Sequence, residues 1–341
     1  MDKRTDGHVD KGGKHRSGAF QRFLQRLETH LAKMSRQQLA ATQQTIAAHA
    51  AKWQCLDLIE AFGRRRTCCP HCSCAKFYRH GYTSGLQRYR CFQCLRTFTA
   101  LTSTPFAFLR KRERWLPYLA CMLRSLTVRG SADDAGVHRN TSFRWRHRFL
   151  VRTKDDRPAT LNGIVEVDET YLLESQKGSR HMTRPARRRG GVAPTRGITK
   201  YHDCVLVARD RGGATRDWVA GRGQVTTARL CRHLPGVLAS DVVLVTDGAQ
   251  AYHGYVEEHP VAHVALNIEG GIRRRGPYHL QNVNQYHGQF KRWLAPFLGV
   301  ASRYLPNYLG WCHALHVARV DAPASLLKSA LGWQGGTGPE S

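Results

Sequence analysis

The chain has 341 residues, with 53 Lys+Arg against 25 Asp+Glu, a formal charge of +28 before its 18 histidines are counted. At roughly 150 residues per domain this length allows two or three domains, and a hydrophobic fraction of 41% excludes wholesale disorder. No run resembles the ~18 uncharged apolar residues of a membrane span, and Met1 to Phe20 lacks an apolar signal core, so no membrane partner and a soluble, cytoplasmic protein are expected. The positive charge is spread along the chain rather than gathered on one amphipathic helix, which points to nucleic acid as the polyanionic partner.

Residues 1–17 are charged and have no apolar period, so they read as a mobile basic tail. Over residues 18–62 apolar side chains recur at helical spacing (Phe20, Phe23, Leu24, Leu27, Leu31, then Leu39, Ile46, Trp53), predicting two or three helices. Residues 63–104 hold Cys69-Pro70-His71-Cys72 and, 18 residues later, Cys91-Phe92-Gln93-Cys94. Two such knuckles place two thiolate pairs around a tetrahedral Zn²⁺, and the alternating basic and aromatic residues between them read as short strands: a zinc ribbon. Four thiolates close the shell, so the zinc is structural; Cys68, Cys74 and His71 lie near enough in sequence to exchange with a ligand.

Residues 105–152 read as helices over Trp115 to Leu126, Ser131 to Val137, and from His138 onward, with Gly136 at the turn. The last helix carries Arg144, Trp145, Arg146, His147 and Arg148. Read as a helix-turn-helix, this module places Asn140, Thr141, Arg144 and Arg146 as candidate DNA contacts; a three-helix bundle with a solvated basic face is the competing reading.

Beyond a charged linker, residues 160–320 alternate strands and helices in the order β-β-β-α-β-α-β-α, an α/β pattern found in ribonuclease-H-like folds. The strands fall near 164–171, 204–208, 215–219, 242–246 and 261–266. Between the first two, Lys177 to His202 holds eight Lys/Arg and no acid, and reads as a flexible loop that orders on phosphates, with Arg187, Arg188 and Arg189 as DNA contacts. Residues 321–341 turn glycine-rich and read as a fraying C-terminal tail.

Acids at strand ends carry the chemistry in so basic a chain. Asp168 closes the first strand and Asp247 follows Val242 to Thr246 directly, so both can emerge at one sheet edge as a hard-oxygen site for Mg²⁺ or Mn²⁺. Taken singly, each also reads as an ordinary turn or strand-end acid. Glu166 and Glu169 are expected to point to the opposite face from Asp168.

Glu166 to Tyr171, Lys177 to Arg180 with its Arg-rich sequel, Val245 to Gly248, and Asn282 to His287 followed by Lys291-Arg292-Trp293 closely resemble insertion-sequence transposases of the ISXO-like group. The order zinc ribbon, helix-turn-helix, ribonuclease-H-like domain resembles them too, over about residues 60–315. The resemblance implies a metal-dependent transposase that cleaves double-stranded DNA at the terminal inverted repeats of its element, joins the ends to target DNA, and acts as a homo-oligomer, associated with the nucleoid. Asp168, Asp247 and Asn284 correspond to the metal-binding triad, Asn284 standing where Glu is usual. Asn284, His287 and Lys291 share one helix face; Asn284 offers a neutral carbonyl and is favoured as third ligand over His287, and Lys291 suits a DNA phosphate. A DNA-binding protein without catalysis, and a nuclease without joining, are the competing readings.

Overall fold

The computed structural model describes residues 12–188, 190–268 and 270–333, with side chains from residue 18 onward. Its elements in chain order are α1 (Gly12–Leu31), α2 (Arg36–Arg64), β1 (Phe77–Thr83), β2 (Leu86–Cys91), β3 (Thr97–Phe98), α3 (Trp115–Leu123), α4 (Val128–Asp134), α5 (Arg139–Thr153), β4 (Ile164–Leu173), β5 (His202–Asp210), β6 (Thr215–Arg222), α6 (Thr227–His233), β7 (Val243–Thr246), α7 (Gln250–Glu258), β8 (Ala262–Ala265), β9 (Arg274–Arg275), β10 (Tyr278–His279), α8 (Gln281–Leu294), α9 (Leu305–His316) and α10 (Pro323–Leu331). None of the described helices is long and apolar enough to cross a membrane.

Two boundary expectations are corrected. The first helix starts at Gly12, inside the segment expected to be a tail, whose residues 1–11 lie outside the described ones. At the other end, α10 buries Leu326, Leu327, Ala330 and Leu331 against α3 and α5, so the expected fraying from residue 321 does not hold there. Glycine-rich composition begins only past this helix, and residues 334–341 lie outside the described ones.

Helix α2 is set by a capping box: Ser35 N–H donates to Gln38 Oε1 at 2.8 Å, and Gln38 N–H donates to the Ser35 hydroxyl at 3.3 Å. Its C-terminal half buries Cys55, Leu56 and Ile59 in a core shared with α3, α5, α10 and, from far along the chain, Tyr308 and Trp311 of α9. The first half of α2 and α1 from residue 18 onward stand largely exposed, with Phe20, Phe23, Ile46 and Trp53 each more than half accessible.

Strands β1, β2 and β3 form an antiparallel three-stranded sheet, in which Phe77 packs edge to face on the stacked rings of Tyr89 and Phe98, beside Cys69 and Cys91. The larger sheet has the order β6-β5-β4-β7-β8: β4, β5 and β6 run antiparallel, while β7 and β8 join parallel to β4. This is the ribonuclease-H-like arrangement expected from the sequence. Alternation along β4 decides what lies where. Val165 and Val167 face the core under α6 and α7, with Leu206, Leu244 and Tyr252. On the other face Val205, Val207 and Val245 meet Val283, Tyr286 and Phe290 of α8 and Leu309 of α9.

Candidate active site and metal centre

Strand pairing positions the two aspartates. The parallel register matches Ile164 with Val243, Val165 with Leu244 and Glu166 with Val245, so two residues further on Asp168 and Asp247 come level at the same edge and on the α8 face. β7 ends at Thr246, and Asp247 Oδ1 accepts from the Ala249 backbone N–H at 2.9 Å, which turns the chain into α7. Asp168 Oδ1 accepts from the Glu169 N–H at 2.8 Å. Burial first, then the Glu169 carboxylate, pushes Asp168 up to about 7; Asp247 adds to the rise and Lys291 opposes it.

Glu166 and Glu169 behave differently from each other, which corrects the expectation that both turn away. Glu166 lies two residues before Asp168 and therefore shares its face. It is fully buried, pairs with Arg211 at 2.9 Å and accepts from the Val283 N–H at 2.9 Å, fixing the start of α8 against the sheet. Glu169 does point the other way, where Tyr252 of α7 donates to it at 2.5 Å; its pKa is raised, by burial first. Period-two parity along β4 was the signal for Glu166, whereas Arg211 and Tyr252 are distant in sequence and left none.

On α8, His287 is buried, with Nδ1 3.9 Å from Asp168 Oδ2 and Nε2 without a hydrogen-bond partner among the described residues. Burial, with Lys291 second, drives it down to about 4, so the ring is neutral at pH 7 and free to act as a nitrogen ligand. Asn284 and Lys291 are exposed. Two aspartates at one sheet edge, beside an imidazole whose Nε2 has no partner among the described residues, form a donor set suited to a divalent cation. Among the described residues this edge does not itself bring three His, Cys or acid ligand atoms within 4.8 Å of one another.

The sulfur cluster does. Cys69, Cys72, Cys91 and Cys94 converge within 4.8 Å, with Sγ–Sγ distances of 3.7 Å (Cys69–Cys94) and 3.5 Å (Cys72–Cys91). Cys74 lies outside the cluster, its sulfur near the backbone of Lys76, and the His71 ring reaches the Thr97 carbonyl. The backbone N–H of Cys94, foremost, helps draw Cys91 down to about 6. At Cys72 the backbone N–H of Cys74 also lowers, yet desolvation and the neighbouring sulfurs outweigh it and hold the thiol up at about 12. Four thiols this close cannot all ionise unaided, and Zn²⁺ fits the set. A second group, Cys231, Glu258 and His259, also falls within 4.8 Å; the sequence reading missed it, because its members come from two helices.

Residues 160–311 match the ISXO2-like transposase domain family. This stretch is similar to the transposase domain of the ISXO-like group of insertion sequences. The chain is 29% identical over 246 residues to an uncharacterised protein in transposable element ISH50 of Halobacterium salinarum, covering 71% of this chain and 82% of that one. Among solved structures it is similar to a chain of the simian T-cell lymphotropic virus intasome (9% identity, TM-score 0.27, covering 62% of this chain and 74% of that one). It is also similar to one in a pre-cleavage Mos1 transpososome (16% identity, TM-score 0.20, 65% and 79%).

The residues expected to meet DNA divide into exposed and buried ones. α4 is capped by Thr127, whose hydroxyl accepts from the Gly130 N–H, and joins α5 through Gly136 at φ +63°. Asn140 and Arg144 are exposed on α5, and Thr141 is half-buried. Arg146 is not a DNA contact: it is fully buried, donates to the Leu126 carbonyl at 2.6 Å and to Ser131 Oγ at 3.0 Å, and its guanidinium lies 4.9 Å from the Trp311 ring centroid. In the basic loop, Arg187 is half-buried and donates to the Glu174 carbonyl at 2.7 Å, while Arg184 bonds the Glu174 carboxylate at 2.8 Å. Glu174 is the acid just upstream of the acid-free run, and it ties this part of the loop down. Arg188 is exposed; Arg189 lies outside the described residues.

Proposed function

We propose that this chain is an active DNA transposase that binds the terminal inverted repeats of its element, cleaves there in a metal-dependent reaction and joins the ends to target DNA. The observation that carries this reading is the level placement of Asp168 on β4 and Asp247 just past the end of the parallel β7, beside a neutral His287 whose Nε2 has no partner among the described residues. Asp168, Asp247 and a donor from α8 would hold Mg²⁺ or Mn²⁺, which when bound activates the attacking oxygen and stabilises the leaving one. Burial and proximity to Asp168 make His287 a stronger α8 donor than the exposed Asn284, reversing the order favoured from sequence. Lys291 and the exposed loop arginines, Arg188 among them, neutralise DNA phosphates around the edge; Arg144 reads duplex DNA as part of a helix-turn-helix, whose first turn also carries Asn140 and Thr141. Zinc in the Cys69/Cys72/Cys91/Cys94 site holds the ribbon. Joining two ends calls for more than one protomer, and the protein works on the nucleoid.

A strand-transfer assay with duplexes carrying the element's inverted repeats tests this. Joined product with Mg²⁺ or Mn²⁺, lost in Asp247→Ala, is expected. Binding with neither cleavage nor joining would reject the enzyme in favour of a DNA-binding regulator, and nicked ends without joined product would leave a nuclease.

A further inference from the structure

Between α5 and the catalytic domain lies a cleft of about 1350 Å³, larger than the roughly 300–1000 Å³ usual for small-molecule sites. Thr127 to Arg129 and the first two turns of α5 form one wall; residues 173–179, 184–188 and 296–304 form the other. Its charge is one-sided. Arg129, Arg139, Lys177, Arg188 and Arg303 line it, and the lone acid, Glu174, is engaged by Arg184, Arg187 and Arg222.

The floor is aromatic. Phe143 is 40% exposed and meets the Tyr304 ring edge to face at 5.7 Å, while His147 stacks on Tyr304 at 3.7 Å. Burial drives His147 down to about 4, so this stack is uncharged at pH 7. A smaller cavity of about 240 Å³ shares Leu173, Gly299 and Val300 with the cleft and is lined further on by Lys291, which stands on the helix of the candidate active site.

We propose that this cleft holds an unpaired DNA strand, its bases stacked on Phe143 and Tyr304 and its phosphates on Arg139, Lys177, Arg188 and Arg303, leading past Lys291 towards Asp168. The proposal rests on the DNA-processing reading above. Aromatic rings in a cationic groove suit a single strand, because base faces are open to stacking only outside the duplex. The walls argue the same way: Arg139, Asn140 and Phe143 face catalytic-domain residues across the cleft, whereas Arg144 is exposed outside it. The helix thus offers one side to an unpaired strand and another to duplex.

The test is photo-crosslinking of the zinc-loaded full chain to an oligothymidylate of about 15 nucleotides carrying 5-iodouracil, comparable to single-strand site sizes, with the modified peptides mapped by mass spectrometry. Crosslinks are expected in the peptides holding Phe143 or Tyr304, displaced by unlabelled single strand at least tenfold better than by a duplex of equal length. Phe143→Ala should weaken single-strand binding about tenfold and leave inverted-repeat duplex binding within twofold. Crosslinks only outside the cleft, equal competition by duplex, or a Phe143→Ala variant with unchanged single-strand affinity would each overturn the proposal, and the strand-transfer result would stand. Loss of binding to every DNA, duplex included, would remove both.

Discussion

Replacing Arg146 with Ala should unfold the N-terminal half of the protein well before it alters DNA affinity. The guanidinium is fully buried with no carboxylate beside it among the described residues; two carbonyl or hydroxyl oxygens and the faces of Trp311 and Phe297 surround it instead. Two charge-assisted hydrogen bonds contribute about 1.5–3 kcal/mol each and a desolvated cation–π contact about 2 kcal/mol. Against these, burying the cation costs several kcal/mol, which the alanine variant recovers. The alanine also leaves a large void and an unpaired Leu126 carbonyl, so the net loss is about 3–4 kcal/mol. Arg146→Met fills the volume without the charge and should lose only about 1–2 kcal/mol, the cost of the unpaired carbonyl. Urea denaturation followed by tryptophan fluorescence reads this directly, since Trp115, Trp145 and Trp311 lie in the same core. An Arg146→Ala protein within 1 kcal/mol of the parent, yet deficient in DNA binding, would refute the buried-strut assignment and restore the residue to the DNA surface.

Three further outcomes are expected. Metal analysis should find one tightly held Zn²⁺ per chain, lost in a Cys91→Ala/Cys94→Ala double variant; unchanged zinc there would reject the ribbon site. Burial, with Arg157 next, drives His313 down to about 3, so above pH ~6.5 its neutral form gives its full stability. As pH falls, the unfolded chain takes up a proton that the folded one refuses; between pH 6.5 and 5 this removes about 1.5 kcal/mol, a decline that His313→Gln should flatten in urea titrations. Gly310→Ala should destabilise by about 1–3 kcal/mol in thermal melts, because a Cβ there would sit 2.5 Å from the Lys154 Cα, where α9 crosses the end of α5; a melt unchanged from the parent would show that the helices separate freely.

The five-stranded sheet was legible because its strands alternate and end on turn residues, so each expected strand was found within a few residues of its place. Asp168 and Asp247 stood out because acids are scarce; Asp247 does follow its apolar strand directly, but Asp168, expected to close the first strand, stands midway along β4, which runs on to Leu173. What failed depended on contacts far apart in the chain. The Arg144–Arg148 run reads as one basic face, yet a helix turns about 100° per residue and carries Arg146 inward, onto Trp311 of α9. α10 has an apolar spacing, Leu326, Leu327, Ala330 and Leu331, that was readable as helix, but composition over the last twenty residues masked it. His287 could be placed on the face of Asn284 by counting, though only packing showed which of the two is buried beside Asp168.

The docking of α10 has a consequence in time. About 170 residues separate the end of α5, at Thr153, from the start of α10, at Pro323. At roughly 5–20 residues per second of synthesis, the α3–α5 unit therefore waits about 10–30 s for the helix that closes its core, with a hydrophobic seat open meanwhile. The N-terminal core is complete only after the sheet and α9 have been made, so the two halves of the chain finish folding together.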